Sequence, residues 1–418
     1  MRDIEPATPR AAEGAEPLKI LWLTRESPLR PDRGDLLYSN GVLGALLAAG
    51  ARGVMLAYAR PGRPDPGVEG LEVRLLTPPD GGRLLSLFTP LPSDAYRQRS
   101  KPFVAAVKQA MNEQFDAIVI DYYTMGWTLP VIRAHPSMRQ ASRPVLVYLS
   151  HQDEQALRPQ VAKAVGGSFA MRAVLPLDAA KGVRMDKALA AAADIITAIT
   201  EEDRRTFLAR APGKTVVTLT PGYEGGIAAV TPFDGTRPRR VILVGGLIWI
   251  AKRKNLVDFL EAADPVFQAA GVELQVVGHA EPDFIDEMTA RFGCVRFEGP
   301  VEALGPFIDQ ARIGLMPDTL GAGFKMKYLD YIFRGLPVAT IRSQVVGLPP
   351  GVEEDMIAAD TPIALAHAIV EAIDDVERLR TMSVGALDKC RHAFAWIDRG
   401  EALYAAIEAK RTRRRPIS

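Results

Sequence analysis

Two successive doubly wound α/β halves are the architecture this sequence predicts, and three observations carry it. Short, almost wholly apolar runs recur, as at residues 18–24 and 115–121, the pattern of strands buried on both faces of a parallel sheet. Helical stretches with one apolar stripe alternate with those runs. The alternation stops near residue 225 and restarts near 240, which divides the chain into two halves of the same kind.

Size and composition agree. A chain of 418 residues suits two domains, and 48% hydrophobic residues suffice for two cores. A formal net charge of +1 provides no overall field for nucleic acid. The two cysteines, Cys294 and Cys390, have neither metal spacing nor the number for a disulfide framework, which fits a reducing cytoplasm. Residues 1–16 are acidic, rich in Pro and Ala and without an apolar run, so they read as a flexible N-terminus and not a signal peptide. No apolar stretch is long enough to span a bilayer.

The elements follow in order. Residues 18–24 form a first strand, followed by a loop with Pro28, Pro31, Asp32, Gly34 and Asp35. A helix with the stripe Leu37, Val42, Leu43, Leu46 and Leu47 ends at Gly50, and residues 53–58 are the next strand. This unit resembles nucleotide-binding α/β folds but lacks GxGxxG. Residues 71–76 alternate as a strand; 83–100 are poorly periodic and carry Arg97 and Arg99. A helix at 102–114 leads into the buried strand 115–121. Asp121 and Tyr122 stand at its C-terminal end, where open α/β sheets carry their sites. The strand 145–150 ends at His151, Gln152, Asp153 and Glu154. A long helix ends at 187–193, a strand runs over 194–200, a helix starts at Glu201, and 215–222 close this half.

In the second half, strand 240–246 ends in Gly245 and Gly246. Helix 256–269, strand 273–278, short strand 295–299, helix 304–310 and strand 313–317 follow. Residues 321–340 then read as loop, helix, stop and strand: Met326, Leu329 and Phe333 are the buried stripe, Gly335 the C-cap, and Pro337 bars continuation. Lys325 and Lys327 fall in the first turn of that helix, an unfavourable place for a cation unless an anion sits there. Glycine amides, a positive helix end and two lysines together suit a phosphate group. Three helices, at 361–373, 375–391 and 398–413, finish the chain.

The ordered features Val244-Gly245-Gly246, Lys252-Arg253-Lys254-Asn255-Leu256, Val276-Val277-Gly278, Phe297-Glu298-Gly299, 313–317 and Gly323-Phe324 through Asp330 to Gly335-Leu336-Pro337 resemble the GT-B glycosyltransferases. The resemblance is nearest to the retaining group called family 4, or group 1. It implies a GT-B fold, two Rossmann-like domains facing a cleft: an acceptor domain at 17–224, a linker at 225–240, and a nucleotide-sugar domain at 241–390. A C-terminal helix at 391–410 would cross back to the first domain, leaving a basic tail at 411–418.

The same resemblance implies site residues. Gly246, with Lys252 or Lys254 (Arg253 lies between them), would meet the diphosphate of a UDP- or GDP-sugar, as would Gly323, Phe324, Lys325 and Lys327. Asp330 would hold the ribose, and Gly278 and His279 would line the base pocket. Ala322 stands where the family places a first carboxylate; Asp318 replaces it only if the loop bends back. His151, Asp153 and Glu154 are the catalytic candidates, and Gly34, Asp35, Asp121 and Tyr122 the acceptor-side ones. No metal and no cofactor beyond the donor substrate is implied. The reaction expected is retaining, metal-independent sugar transfer to a glycan, lipid or small-molecule acceptor, in the cytoplasm or at the inner face of the membrane. The tail, with Arg411, Arg413, Arg414 and Arg415, reads either as a solvated end or as a foothold on anionic lipid; no nucleic-acid motif accompanies it. The alternatives are a GT-B sugar-nucleotide epimerase and a non-catalytic nucleotide- or partner-binding homologue.

Overall fold

A computed structural model describes residues 16–60, 62, 65–79, 82, 84–164, 169–223, 235–320 and 323–414. The chain divides into two compact units: residues up to Gly222 together with those from Ala395 onward, and Tyr223–Phe394. Most of the expected linker, and Ala322, lie outside the described residues.

The first unit is built on seven strands: β1 (Lys19–Leu23), β2 (Arg52–Tyr58), β3 (Leu71–Leu76), β4 (Ala117–Asp121), β5 (Val145–Leu149), β6 (Ile195–Ala198) and β7 (Thr215–Thr218). Their order is β3-β2-β1-β4-β5-β6-β7, and every pairing is parallel. β4 and β5 are buried at every residue because helices cover both faces; the edge strand β3 is only partly buried, and its sequence alternates accordingly. The second unit has six parallel strands, β8 (Arg240–Val244), β9 (Glu273–Val277), β10 (Val295–Gly299), β11 (Ile313–Met316), β12 (Val338–Ile341) and β13 (Ile357–Ala359), in the order β10-β9-β8-β11-β12-β13. Both orders reverse direction once, beside β1 and β4 in one sheet and beside β8 and β11 in the other. These are the doubly wound switch points, where crevices open at the strands' C-terminal ends.

Three local expectations change. The helix expected from Leu256 starts at Ile250 and runs to Ala270. Its first turn is largely solvent-facing, so no apolar stripe marked it, and Lys252 and Lys254 lie inside the helix, not in a turn before it. The helix after the 321–325 loop is short, Lys327–Ile332, and Lys325 precedes it; Gly335, at φ 65°, ends the segment in the left-handed conformation. A helix at Pro282–Arg291 has no counterpart in the sequence reading.

The last helix, Trp396–Thr412, packs on the helix Gly34–Ala48 through glycines. A Cβ on Gly41 would lie 2.0 Å from the Trp396 ring, and one on Gly400 would lie 2.0 Å from the Ala45 carbonyl oxygen. Arg399 Nε donates to the Thr220 carbonyl at 2.9 Å, and Arg411 pairs with Asp116 at 3.0 Å. Gly400→Ala should therefore reverse the usual sign of a helical Gly→Ala change. Propensity favours Ala by about 1 kcal/mol, but the clash is with backbone that cannot turn aside. A net loss of about 2 kcal/mol is expected, read as a lower urea midpoint for the first unit's transition.

Candidate functional site

In the second unit the site is set by how closely backbone can be approached at the end of β8. Gly245 has φ 132° and Gly278 φ 147°, conformations that favour glycine. A Cβ on Gly278 would lie 2.4 Å from the Gly245 carbonyl oxygen, and one on Gly245 would lie 2.7 Å from Lys327 Nζ. The lysine thus occupies the space a side chain at Gly245 would need. Among the described residues its ammonium makes no hydrogen bond or ion pair. Burial pushes its amine down to about 8; Asp318 opposes that shift, and Lys252 and Lys325 add to it.

The surrounding groups hold this arrangement. β11 pairs with β8 only at Val241 and Ile242 before the two strands part. Beyond that point the Tyr331 hydroxyl donates to the Ile242 carbonyl at 3.2 Å and accepts from the Val244 amide at 2.9 Å. It thereby supplies the ladder partner that the switch point removes. Asn255, buried in the helix Ile250–Ala270, donates to Asp318 Oδ1 at 2.8 Å and accepts from the Thr319 and Leu320 amides at 3.2 and 3.0 Å. The loop after β11 is pinned by this one side chain. Lys325 donates to Gln344 Oε1 at 2.7 Å. Asp330, one turn after Lys327, is raised to about 6 by burial, with Arg334 and Lys327 opposing.

Geometry separates the basic candidates on the long helix. Lys254 is paired with Asp258 at 2.8 Å, and Arg253 donates to the Leu247 carbonyl at 2.6 Å. Lys252 makes no such contact among the described residues, and it is the one whose charge acts on Lys327. Gly246 packs under the His279 carbonyl, and the His279 ring is exposed beside Glu281. Gly323, at φ 84°, and Phe324, 5.8 Å from the Phe394 ring, follow the pinned loop.

In the first unit, β1, β4 and β5 bring a second cluster together. Asp121 is 1% exposed and accepts three hydrogen bonds: from Trp22 Nε1 at 3.2 Å, Ser39 Oγ at 3.0 Å and His151 Nε2 at 2.8 Å. His151 Nδ1 is sealed from solvent and has no partner among the described residues. Its ring is boxed by Tyr38 and Tyr122 at 5.1 and 4.8 Å. Tyr122, at φ 73° and ψ 147°, is the one non-glycine residue with positive φ among those described. Such a conformation costs about 1–3 kcal/mol and persists where surrounding contacts enforce it. Here its amide bonds the Leu149 carbonyl at 3.0 Å and Arg25 lies 5.0 Å over its ring.

The other candidates are engaged. Asp153 grips Arg210 with both oxygens at 2.6 and 2.9 Å and accepts from the Gln155 and Ala156 amides at the start of its helix. Glu154 is raised to about 8 by burial, with hydrogen bonds from Gln152 and Tyr122 opposing; Arg158 Nε is 2.8 Å from its Oε2. Asp35 pairs with Arg25 and Arg33, and a Cβ on Gly34 would meet nothing within 4 Å. Among the described residues no His/Cys/Asp/Glu cluster could hold a metal ion, and no helix is long and apolar enough to cross a membrane. Arg411 and Arg414 of the expected solvated tail are instead paired with Asp116 and Asp194.

Residues 238–375 match the family model described as Glycosyl transferases group 1. This segment resembles the group 1 glycosyltransferases. The second unit's sheet, Gly245, Gly278 and the Lys327–Asp330 turn fall within it. Solved structures with the same GT-B fold include HepE (Alr3699) of Anabaena, determined with UDP and glucose, at 16% identity over 94% of this chain and 100% of that one, TM-score 0.61. The trehalose 6-phosphate synthase of Burkholderia multivorans matches at 13% identity over 95% and 100%, TM-score 0.64. WaaG, a glycosyltransferase involved in lipopolysaccharide biosynthesis, matches at 14% identity over 95% and 100%, TM-score 0.60. No curated protein sequence matches the chain.

Several residues of the second unit's framework were silent in the sequence. Tyr331 and Asn255 look like ordinary helix positions, and their partners at β8 and the β11 loop are distant in sequence. Tyr331→Phe should leave the Val244 amide and one bond of Ile242 without a partner. A loss of about 1–3 kcal/mol is expected, with faster hydrogen exchange at the Val244 amide as the local readout.

Proposed function

We propose that the chain transfers a sugar from a nucleotide-sugar donor to a glycan, lipid or small-molecule acceptor. The observation that carries this reading is the Lys327 ammonium, half-buried over Gly245, without a hydrogen-bonded or ion-paired partner among the described residues and one turn before Asp330. It lies within a segment that matches group 1 glycosyltransferases. A diphosphate provides the missing anion. Its departure concentrates negative charge on the phosphate oxygens, and a fixed cation in a dry site stabilises that charge more than water does. Lys325 and Lys252 add positive charge at range, and Asp330 accepts hydrogen bonds from the ribose hydroxyls.

We read the transfer as retaining and metal-independent. In such a reaction the leaving phosphate can take the acceptor proton, so no separate base is needed. On that reading Asp153 is a helix cap and Arg210 partner, and Glu154 braces the loop through Arg158. His151, oriented by Asp121, positions the acceptor side together with Tyr122. Uridine diphosphate is the first nucleotide to test, because HepE was determined with it.

The test is a thermal-shift panel with UDP, GDP and their sugars, followed by donor turnover. A shift together with slow donor hydrolysis supports transfer. A shift without turnover marks a nucleotide-binding homologue, which the alanine at position 322 would favour. A sugar-nucleotide isomer as product marks an epimerase. No shift with any nucleotide overturns the reading.

Two outcomes follow from the lysine's lowered pKa. The diphosphate binds the protonated form, so affinity for UDP is flat below about pH 8 and falls about tenfold per pH unit above it. Titration calorimetry across pH 6.5–9.5, about three units spanning that pKa, checks this. In the free protein the folded amine binds its proton less tightly than the unfolded one, so stability from this group rises between about pH 8 and the ordinary lysine value. Lys327→Met should therefore raise the unfolding temperature at pH 7 while lowering kcat about 10²–10³-fold. Asp330→Ala should weaken UDP binding in a folded protein, and unchanged affinity would remove the ribose assignment.

A further inference from the structure

At the N-terminal ends of β5 and β6 lies a cavity of about 780 Å³ in the first unit. His151 follows the opposite end of β5, and Asp121 ends the neighbouring parallel strand β4, one strand length away, roughly 15 Å. Arg133, Arg139, Arg143, Lys214 and Asp194 face the cavity. Met138 and Leu146 give it an apolar wall.

The charge balance there is one-sided, and the single acid is already spent. Asp194 accepts from Arg143 Nη1 and Nη2 at 2.9 and 3.0 Å, from the Leu146 amide at 2.8 Å and from Arg414 Nη2 at 2.5 Å. Burial works against its ionisation, but these donors outweigh burial and hold the carboxyl below its ordinary value. Lys214 Nζ donates to the Ala191 and Ala193 carbonyls at 2.6 and 2.7 Å, at the C-terminal end of the helix Phe169–Ala192. Lys410 lies near enough to act on Lys214. Arg133 and Arg139, from the helix Leu129–Ala134 and the turn Pro136–Arg139, are exposed and make no hydrogen bond or ion pair among the described residues. Two exposed arginines therefore line a cavity whose carboxylate is already paired with Arg143 and Arg414.

We propose that this cavity is a second anion site, separate from the donor site. It would take a phosphate or diphosphate ester through Arg133 and Arg139, with an organic portion of the ligand against Met138 and Leu146. Arginine matches phosphate oxygens with paired donors, and the cavity's volume falls in the range of sites that enclose a small organic molecule. The paired Arg143–Asp194–Arg414 cluster is the rigid wall that holds the C-terminal segment and the β5–β6 edge together behind it.

The test uses the full chain and inorganic pyrophosphate in titration calorimetry at low salt. Lys327→Met removes the donor-side cation, and this variant should still bind one pyrophosphate. Adding Arg133→Ser and Arg139→Ser should weaken that binding at least about tenfold without moving the unfolding temperature. In the otherwise native chain the same two changes should leave UDP affinity unchanged. A competition arm uses dihexanoyl phosphatidic acid below its micellar concentration. Displacement of pyrophosphate assigns the site to a phospholipid headgroup; pyrophosphate binding without displacement assigns it to a soluble phosphate ester. No pyrophosphate binding by Lys327→Met, or undiminished binding after loss of both arginines, overturns the proposal.

Discussion

A lysine ammonium pressed against a glycine backbone, without a hydrogen-bonded or ion-paired partner among the described residues, is the constraint on which the second unit depends. Lys327 can lie there only because Gly245 has no side chain, and Gly245 can turn as it does only because Gly278 allows its carbonyl to approach. The short helix Lys327–Ile332 is too brief to be stable by itself. It is held by the buried rings of Tyr328 and Tyr331 and by Leu329 and Ile332. The Tyr331 hydroxyl ties that helix to the end of β8, so the lysine and the glycine turn are held in register with each other. Desolvating a cation costs free energy, and the fold carries that cost in the absence of ligand.

The two strand-end clusters differ in a way that separates framework from ligand site. Asp121 accepts hydrogen bonds from Trp22, Ser39 and His151, so its oxygens are occupied inside the first unit. The strained Tyr122 backbone directly after it is enforced by the Leu149 carbonyl and by packing against His151 and Arg25. Hydrogen bonds that converge on one buried carboxylate in this way fix its neighbours' directions, although His151 Nδ1 has no partner among the described residues. Lys327 is the reverse case, a polar group prepared but not satisfied. That contrast, more than the count of charged residues, is why the donor site is proposed in the second unit.

Much of the fold was legible because parallel strands covered on both faces admit almost no polar residue. Residues 115–121 and 145–150 could hardly be anything else, and β4 and β5 lie within them. Helix starts were less legible wherever the first turn faces water. Ile250, Lys252 and Lys254 show no stripe, so the long helix looked shorter than it is. The lysines at 325 and 327 were visible as cations near a helix start. Which basic residue of 252–254 stays free was not, because Asp258 and the Leu247 carbonyl decide it. Arg411 and Arg414 read as a solvated end since their partners, Asp116 and Asp194, come from the middle of the chain.

By itself the sequence determined the two doubly wound halves, the order of their strands' apolar runs, the glycine turns and the lysine–aspartate turn after them. These are short-range properties: burial on two faces, a positive φ and helical spacing are each written within a few neighbouring residues. Only the tertiary structure decided that Lys327 lies over Gly245, that Tyr331 closes the gap between β8 and β11, and that Asp121 is saturated while Lys327 is not. Each of those depends on a partner tens of residues away, and whether a buried charge is paired can be read only once the packing that buries it exists.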